Sequence, residues 1–136
     1  MLAGNFFKIE QSEISSGHIS AAIQLNPEHP VYEGHFPGMP VVPGVCQVQM
    51  VKEILCSSWE GAFLLTDSKM CKFINMMNPK EVTGLKCDIS WSETPGGEIS
   101  FSGELADAER TYLKIKGILK NVNKPQKHEN TKLDDG

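Results

Sequence analysis

The sequence predicts an α+β domain in which an antiparallel sheet of five to seven strands wraps one long buried helix. Three observations carry that expectation. Most apolar residues alternate with polar ones in short runs, the period of a strand with one wet face. One stretch, from about Pro43 to Ser57, is apolar around most of its circumference when wound at 100° per residue. Between the alternating runs stand Ser16-Gly17, Pro95-Gly96-Gly97 and Ala106 to Glu109, which read as turns.

Taken in order, the first strand is weak and covers Phe6 to Ile9. The second is clear: Ile19, Ala21, Ile23 and Leu25 alternate with His18, Ser20, Ala22 and Gln24. From Asn26 to Gly44 the chain changes character. Prolines at 27, 30, 37, 40 and 43 and glycines at 34, 38 and 44 oppose both helix interior and central strand. A long loop is expected, stiffened by the prolines at every third position and anchored by Val31, Tyr32, Phe36, Met39, Val41 and Val42.

The helix follows, with Pro43 suited to its start because the missing N–H would have been unpaired there anyway. Its apolar residues run from Val45 through Cys56, and a helix apolar nearly all round is expected to be buried. Gln49, Lys52 and Glu53 make one polar stripe, and Gln47 lies opposite. Two strands are then expected, Ala62 to Thr66 and Met70 to Met77, split by Asp67-Ser68. Three more follow: Leu85 to Trp91, Ile99 to Leu105 and Leu113 to Leu119, the last with Lys114, Lys116 and Lys120 outward. Together the strands suggest an antiparallel meander.

A single domain is expected over residues 1–121, with 122–136 as a disordered tail that lacks aromatic residues and periodicity. A chain of 136 residues buries enough surface to need no disulfide or metal. Cys46, Cys56, Cys71 and Cys87 show no paired spacing and are expected to be small buried side chains. His18, His29 and His128 lack metal-ligand spacing, so no metal and no cofactor are expected. A net charge of −4 argues against nucleic acid as a partner. No apolar run approaches the ~20 residues of a membrane span. No basic-then-apolar leader opens the sequence, so a cytoplasmic location is expected.

The chemistry is concentrated in Gly34-His35-Phe36-Pro37-Gly38-Met39-Pro40-Val41-Val42-Pro43-Gly44-Val45. A histidine stands in a rigid loop, and nine residues later a helix begins with no Ser, Thr, Asp or Asn before Pro43 to cap it. The first N–H groups of that helix need another partner, and a substrate carbonyl oxygen would serve. Gly44 has no side chain to block the approach. A neutral imidazole nearby could take a proton at pH 7. The same residues also allow a plainer reading, in which His35 only bonds a loop carbonyl.

This stretch resembles the HFPG-x-P-x-x-PG-V signature of the FabZ/FabA-type β-hydroxyacyl-acyl-carrier-protein dehydratases, and Lys72-Phe73 resembles the K-F strand that follows their helix. The likeness extends from about Phe6 to Leu119. It implies the hotdog fold and a dimer whose two sites lie at the subunit interface. It further implies that His35 acts on the acyl substrate, that the Gly44 amide polarises its thioester carbonyl, and that a helix carboxylate from the other subunit completes the site. Phe36, Pro37, Gly38, Val45, Val48 and Phe73 would then line the substrate path, and the substrate would be a thioester of acyl-carrier protein or coenzyme A.

One position departs from the pattern. The resemblance calls for Glu or Asp five residues after the Gly of PG, and here stands Gln49. An amide has no titratable proton near neutrality, and losing a general acid costs about 10²–10⁴ in rate. Members of that family carry Glu-x-x-x-Gln, whereas this helix has Gln49-x-x-x-Glu53. Glu53 shares the face of Gln49 about 6 Å along the axis and is the candidate replacement acid; alternatively it pairs with Lys52 or a partner chain. The expected function is 3-hydroxyacyl-thioester dehydration in fatty-acid or specialised lipid or polyketide synthesis. The alternatives are a subunit of a hotdog heterodimer, a non-catalytic acyl-thioester or carrier-protein binding module, and a thioesterase. Lys69, Lys72 and Lys80 are candidates for meeting an acidic carrier, against the commoner role of a solvated strand edge.

Overall fold

The computed structural model describes residues 2–34, 38, 40–57, 59, 61–82 and 84–122. Six strands form one antiparallel sheet: β1 (Phe7–Ser15), β2 (His18–Leu25), β3 (Phe63–Phe73), β4 (Gly84–Glu93), β5 (Ile99–Ala106) and β6 (Thr111–Asn121). Two helices, α1 (Val31–Gly34) and α2 (Gly44–Cys56), lie between β2 and β3. The sheet order is β1-β2-β4-β5-β6-β3. Strands β4, β5 and β6 form the expected meander. β3 does not join it in sequence order; it crosses to the far edge and pairs with β6.

The period-2 pattern is what builds the inner face. Ile19, Ala21, Ile23 and Leu25 of β2 are buried, as are Leu85, Cys87 and Ile89 of β4, Phe101 and Leu105 of β5, and Leu113, Ile115 and Leu119 of β6. Cross-strand pairs such as Ala21 with Cys87, Ile89 with Gly103 and Leu105 with Leu113 stack these residues into one layer. Helix α2 presses Met50, Val51, Ile54 and Leu55 into that layer. Lys114 and Lys116 face out, while Lys120 is half-buried.

Several local expectations need correction. β1 is longer than Phe6 to Ile9, because an edge strand needs only backbone pairing on one side, and β2 supplies it as far as Ser15 opposite His18. The loop from Asn26 to Gly44 is not irregular throughout. Proline at 30 leaves the next residues free to coil, and Val31–Gly34 form one helical turn with Tyr32 buried. The two strands expected either side of Asp67-Ser68 are one strand. Pairing with β6 overrides the turn-forming residues, which are absorbed as irregularities between Leu65 and Asp67 and between Ser68 and Met70. Only Cys87 among the cysteines is buried; Cys46 and Cys56 are half-buried, Cys71 is exposed, and all four are free thiols.

The helix also departs from the expectation of burial all round. Its core face is covered, but Val45 is 79% exposed and Val48, Gln49, Lys52, Glu53 and Cys56 are only half-buried. Val45 stands on an open side of the fold, while Cys46, Val48 and Cys56 pack partly against the core. No helix among the described residues is long and apolar enough to cross a membrane.

Gly117 of β6 shows how closely β3 is packed. A Cβ there would meet the Asp67 carbonyl oxygen and a Leu65 methyl, each at 2.8 Å. Backbone cannot yield as a flexible side chain does, so Gly117→Ala is expected to destabilise the fold by about 1–3 kcal/mol. Thermal unfolding should show a Tm lowered by roughly 3–10 °C; an unchanged Tm would mean that the β3 irregularity moves freely.

Candidate functional site

Helix α2 begins at Gly44 with Pro43 as its N-cap, and no side chain caps it. The first amides with partners are those of Cys46 and Gln47, which both donate to the Pro43 carbonyl, at 3.0 and 3.1 Å. The Gly44 and Val45 N–H groups meet no acceptor among the described residues. They form the positive end of a 13-residue helix, with no acidic side chain in its first turn to offset it.

The backbone before this helix end is held from two sides. The Val42 amide donates to the Met77 carbonyl at 2.8 Å. The Gln47 side chain, only 3% exposed, donates through Nε2 to the Val42 carbonyl at 3.2 Å. Gln47 is therefore a brace between the helix and the residues leading into it, a role that the sequence suggested only by putting it opposite the polar stripe.

Phe73, at the end of β3, lies over Gly44. A Cβ on Gly44 would come within 2.8 Å of the ring's Cζ. The tip of the ring thus lies beside the α-carbon that stands between the two open N–H groups, and a side chain at position 44 would require the ring to shift. Phe73 itself is 52% exposed. Val45 stands in solvent beside this point and Val48 is half-buried. Gly38 is exposed with φ at 83°, in the left-handed region that glycine enters at no cost. His35, Phe36 and Pro37 lie outside the described residues.

The polar stripe is organised around Glu53. Its Oε2 accepts from the Leu2 N–H at 2.7 Å and from Gln49 Nε2 at 2.8 Å, and its Oε1 accepts from the Ala3 N–H at 2.9 Å. Among the described residues Glu53 is tied to the chain's own residues 2 and 3 and not to Lys52. Gln49 and Glu53 are brought together as their four-residue spacing requires. The anchors at Leu2 and Ala3 carry no sequence signal, because backbone amides some fifty residues away have no pattern to read.

The thiols are poorly suited to nucleophilic work. Burial pushes Cys46, Cys71 and Cys87 above the usual thiol range. Burial also pushes Cys56 up to about 11, partly offset by the Lys52 ammonium. Each is a weaker thiolate at neutral pH than a free cysteine. His29 is engaged within the fold: its ring meets Phe6 edge-on at 5.2 Å, and its Nδ1 accepts from the Val31 N–H at 3.1 Å. Of the three lysines, Lys69 pairs with Asp67 at 3.0 Å in solvent, and Lys72 and Lys80 are exposed.

An antiparallel sheet packed on one main helix, with an open helix N-terminus beside an aromatic ring, is the architecture of a hotdog-fold protein. The chain belongs to the ApeI-like family, described as ApeI dehydratase, which it matches over residues 10–113. It is 29% identical over 98 residues to a 3-hydroxyacyl-[acyl-carrier-protein] dehydratase FabZ from Caulobacter sp. (strain K31), a match that covers 67% of this chain. The match spans about half, 52%, of that curated relative's length. Among solved structures, the dehydratase heterocomplex ApeI:P from Xenorhabdus doucetiae matches with a TM-score of 0.64 at 23% identity, covering 82% of this chain and 95% of that one. An uncharacterised protein from Erwinia carotovora subsp. atroseptica matches with a TM-score of 0.63 at 19% identity, covering 85% and 94%. A putative thioesterase from Ralstonia eutropha JMP134 has a TM-score of 0.56 at 11% identity, covering 83% of each chain. At these identities the structural matches speak for the fold.

Proposed function

We propose that this chain binds 3-hydroxyacyl thioesters and supplies the base half of a dehydration site, whose acid is contributed by a second hotdog chain. The observation that carries the reading is the uncapped start of α2 at Gly44, at the Pro-Gly of the His-loop motif, in a member of a dehydratase family.

The chemistry follows from that start. A thioester carbonyl oxygen accepting from the Gly44 N–H has its developing negative charge met by the helix dipole, which acidifies the C2 proton. His35 takes that proton as the base. The C2 electron pair forms the C2=C3 double bond, the C3–O bond breaks, and the hydroxyl leaves as water once it receives a proton. Gln49 has no proton to give, and Glu53 already accepts three hydrogen bonds from residues 2, 3 and 49. The acid is therefore sought on a partner helix.

Two features support a partner. β3 is an edge strand with an unpaired side, and it carries exposed Leu64 and Phe73, with Ile74 and Met76 exposed just beyond it. Val45 and the half-buried stripe of α2 lie open as well. A second chain added along β3 would pair the strand, cover apolar surface and bring its helix towards this one. That a dehydratase of this fold from Xenorhabdus doucetiae is a heterocomplex makes a related but non-identical chain the partner we favour. The acyl carrier would be acyl-carrier protein or coenzyme A, and the setting fatty-acid or specialised lipid synthesis.

The test is water loss from a 3-hydroxybutyryl pantetheine thioester, followed at the enoyl absorbance. It compares the chain alone with the chain mixed with a hotdog dehydratase subunit that carries the helix carboxylate and has its own loop histidine removed. Activity only in the mixture is expected. Full activity of the chain alone would remove the need for a partner acid, and a silent mixture would favour a thioester-binding module.

A further inference from the structure

Gln49 and Glu53 do more than share a helix face. A carboxylate offers only acceptors, and both Glu53 oxygens already face backbone N–H groups, from Leu2 and Ala3. The end of the Gln49 amide that lies 2.8 Å from Glu53 Oε2 must therefore be its NH2 group, since an oxygen there would meet another acceptor. The carbonyl oxygen of Gln49 is thereby turned to the other side, and nothing among the described residues donates to it. An unrestrained glutamine amide presents a donor or an acceptor by flipping, at small cost. Here the flip is blocked, and the block is anchored to the backbone at residues 2 and 3.

We propose that Glu53 is a positioning residue that holds Gln49 as a fixed hydrogen-bond acceptor, so that the site selects acyl thioesters bearing a 3-hydroxyl over those with a 3-oxo group or no 3-substituent. This rests on the dehydratase reading above, in which position 49 of each helix faces C3 of a thioester held by the other chain of the assembly. A 3-hydroxyl can donate to the fixed carbonyl oxygen. A 3-oxo group can only accept, so it places two acceptor oxygens against each other. A saturated chain leaves the Gln49 oxygen unpaired and dry. The residue that fails as an acid thus serves as a reader of the substrate's oxidation state, and Glu53 supplies the orientation rather than the proton. The N-terminal residues become part of the site's support even though they need not touch the ligand.

The experiment is calorimetric binding of the amide analogues of 3-hydroxybutyryl-, 3-oxobutyryl- and butyryl-pantetheine to the full chain, wild type and Glu53→Gln. It is accompanied by the side-chain amide signal of Gln49 in a 15N-labelled sample. The wild type should favour the hydroxy analogue by about tenfold, the value of one well-made hydrogen bond against an unmade one. Glu53→Gln should bring the three affinities within about twofold of each other. It should also move the Gln49 NH2 signal from a hydrogen-bonded to a solvent-like position. Lys52→Ala, a change on the same helix that leaves the Glu53 contacts in place, should keep both the preference and the signal. Equal binding of the three analogues by the wild type, or a preference that survives Glu53→Gln, overturns the inference and leaves the dehydratase reading standing. No binding of any analogue overturns both.

Discussion

Replacing Gln49 with glutamate is expected to raise the rate of water loss by the chain alone about 10²–10⁴-fold, the usual worth of a positioned general acid. The expectation depends on Glu53. The Gln49 amide nitrogen lies 2.8 Å from Glu53 Oε2, so a carboxyl in its place would stand at hydrogen-bond distance from another carboxylate. Two such groups cannot both ionise cheaply and share one proton instead. Both Glu53 oxygens accept from the Leu2 and Ala3 N–H groups, so the shared proton is expected on the new carboxyl. Its pKa is pushed upward by the like charge, which keeps an acid available at neutral pH. The pH–rate profile of Gln49→Glu should therefore gain a limb that falls as pH rises through that raised value. The sign for stability is also fixed. A carboxyl whose folded pKa exceeds its unfolded value of about 4.3 makes folding less favourable as pH climbs between the two. The variant should thus unfold more easily at pH 8 than at pH 5. A flat profile with no gain in turnover would mean that position 49 does not meet the leaving hydroxyl.

The second large effect is expected at His35. In the mixed assembly, His35→Ala should lower turnover about 10²–10⁴-fold while leaving analogue binding within a few-fold. The separation matters. In the proposed site the Gly44 N–H and the helix dipole would meet the thioester carbonyl in ground and transition states alike, so binding is expected to persist when the base is gone. Added imidazole should restore part of the rate by standing in for the missing base. A histidine that merely bonded a loop carbonyl would behave otherwise: its loss would weaken binding and lower the Tm, and imidazole would restore nothing. The readout is the kcat and KM of the variant with and without imidazole, measured beside its melting curve.

Much of the fold was legible because burial on one face writes itself into the sequence every second residue. Ile19 to Leu25, Leu85 to Ile89 and Leu113 to Leu119 show that period and fill the core as expected. Helix α2 was legible from Pro43 and the apolar run, but its degree of burial was not. An apolar circumference signals that something covers the helix without saying whether that cover is the same chain, and here Val45 is left open. β3 was misread because Asp67-Ser68 carries the composition of a turn; its continuity is imposed by β6, whose pairing is non-local. At the site, the motif around Gly44 and the shared face of Gln49 and Glu53 could be read directly. The ties from Glu53 to Leu2 and Ala3 could not, since main-chain amides look alike in any sequence. Gln47 was visible only as a polar residue out of place, and its value lies in the single bond to the Val42 carbonyl.

Both rims of the sheet are uneven. β1 shifts register between Ile9 and Gln11, and β3 shifts twice, between Leu65 and Asp67 and between Ser68 and Met70. A straight rim accepts any extended segment, and identical straight rims propagate into fibres. A rim that breaks step behaves like a cut key. An incoming strand must break step at matching places or forfeit hydrogen bonds along part of its length. Strands that meet that demand are rare outside copies and near relatives of the same chain. The irregularities in β3 are thus expected to make its exposed edge a poor template for indiscriminate pairing.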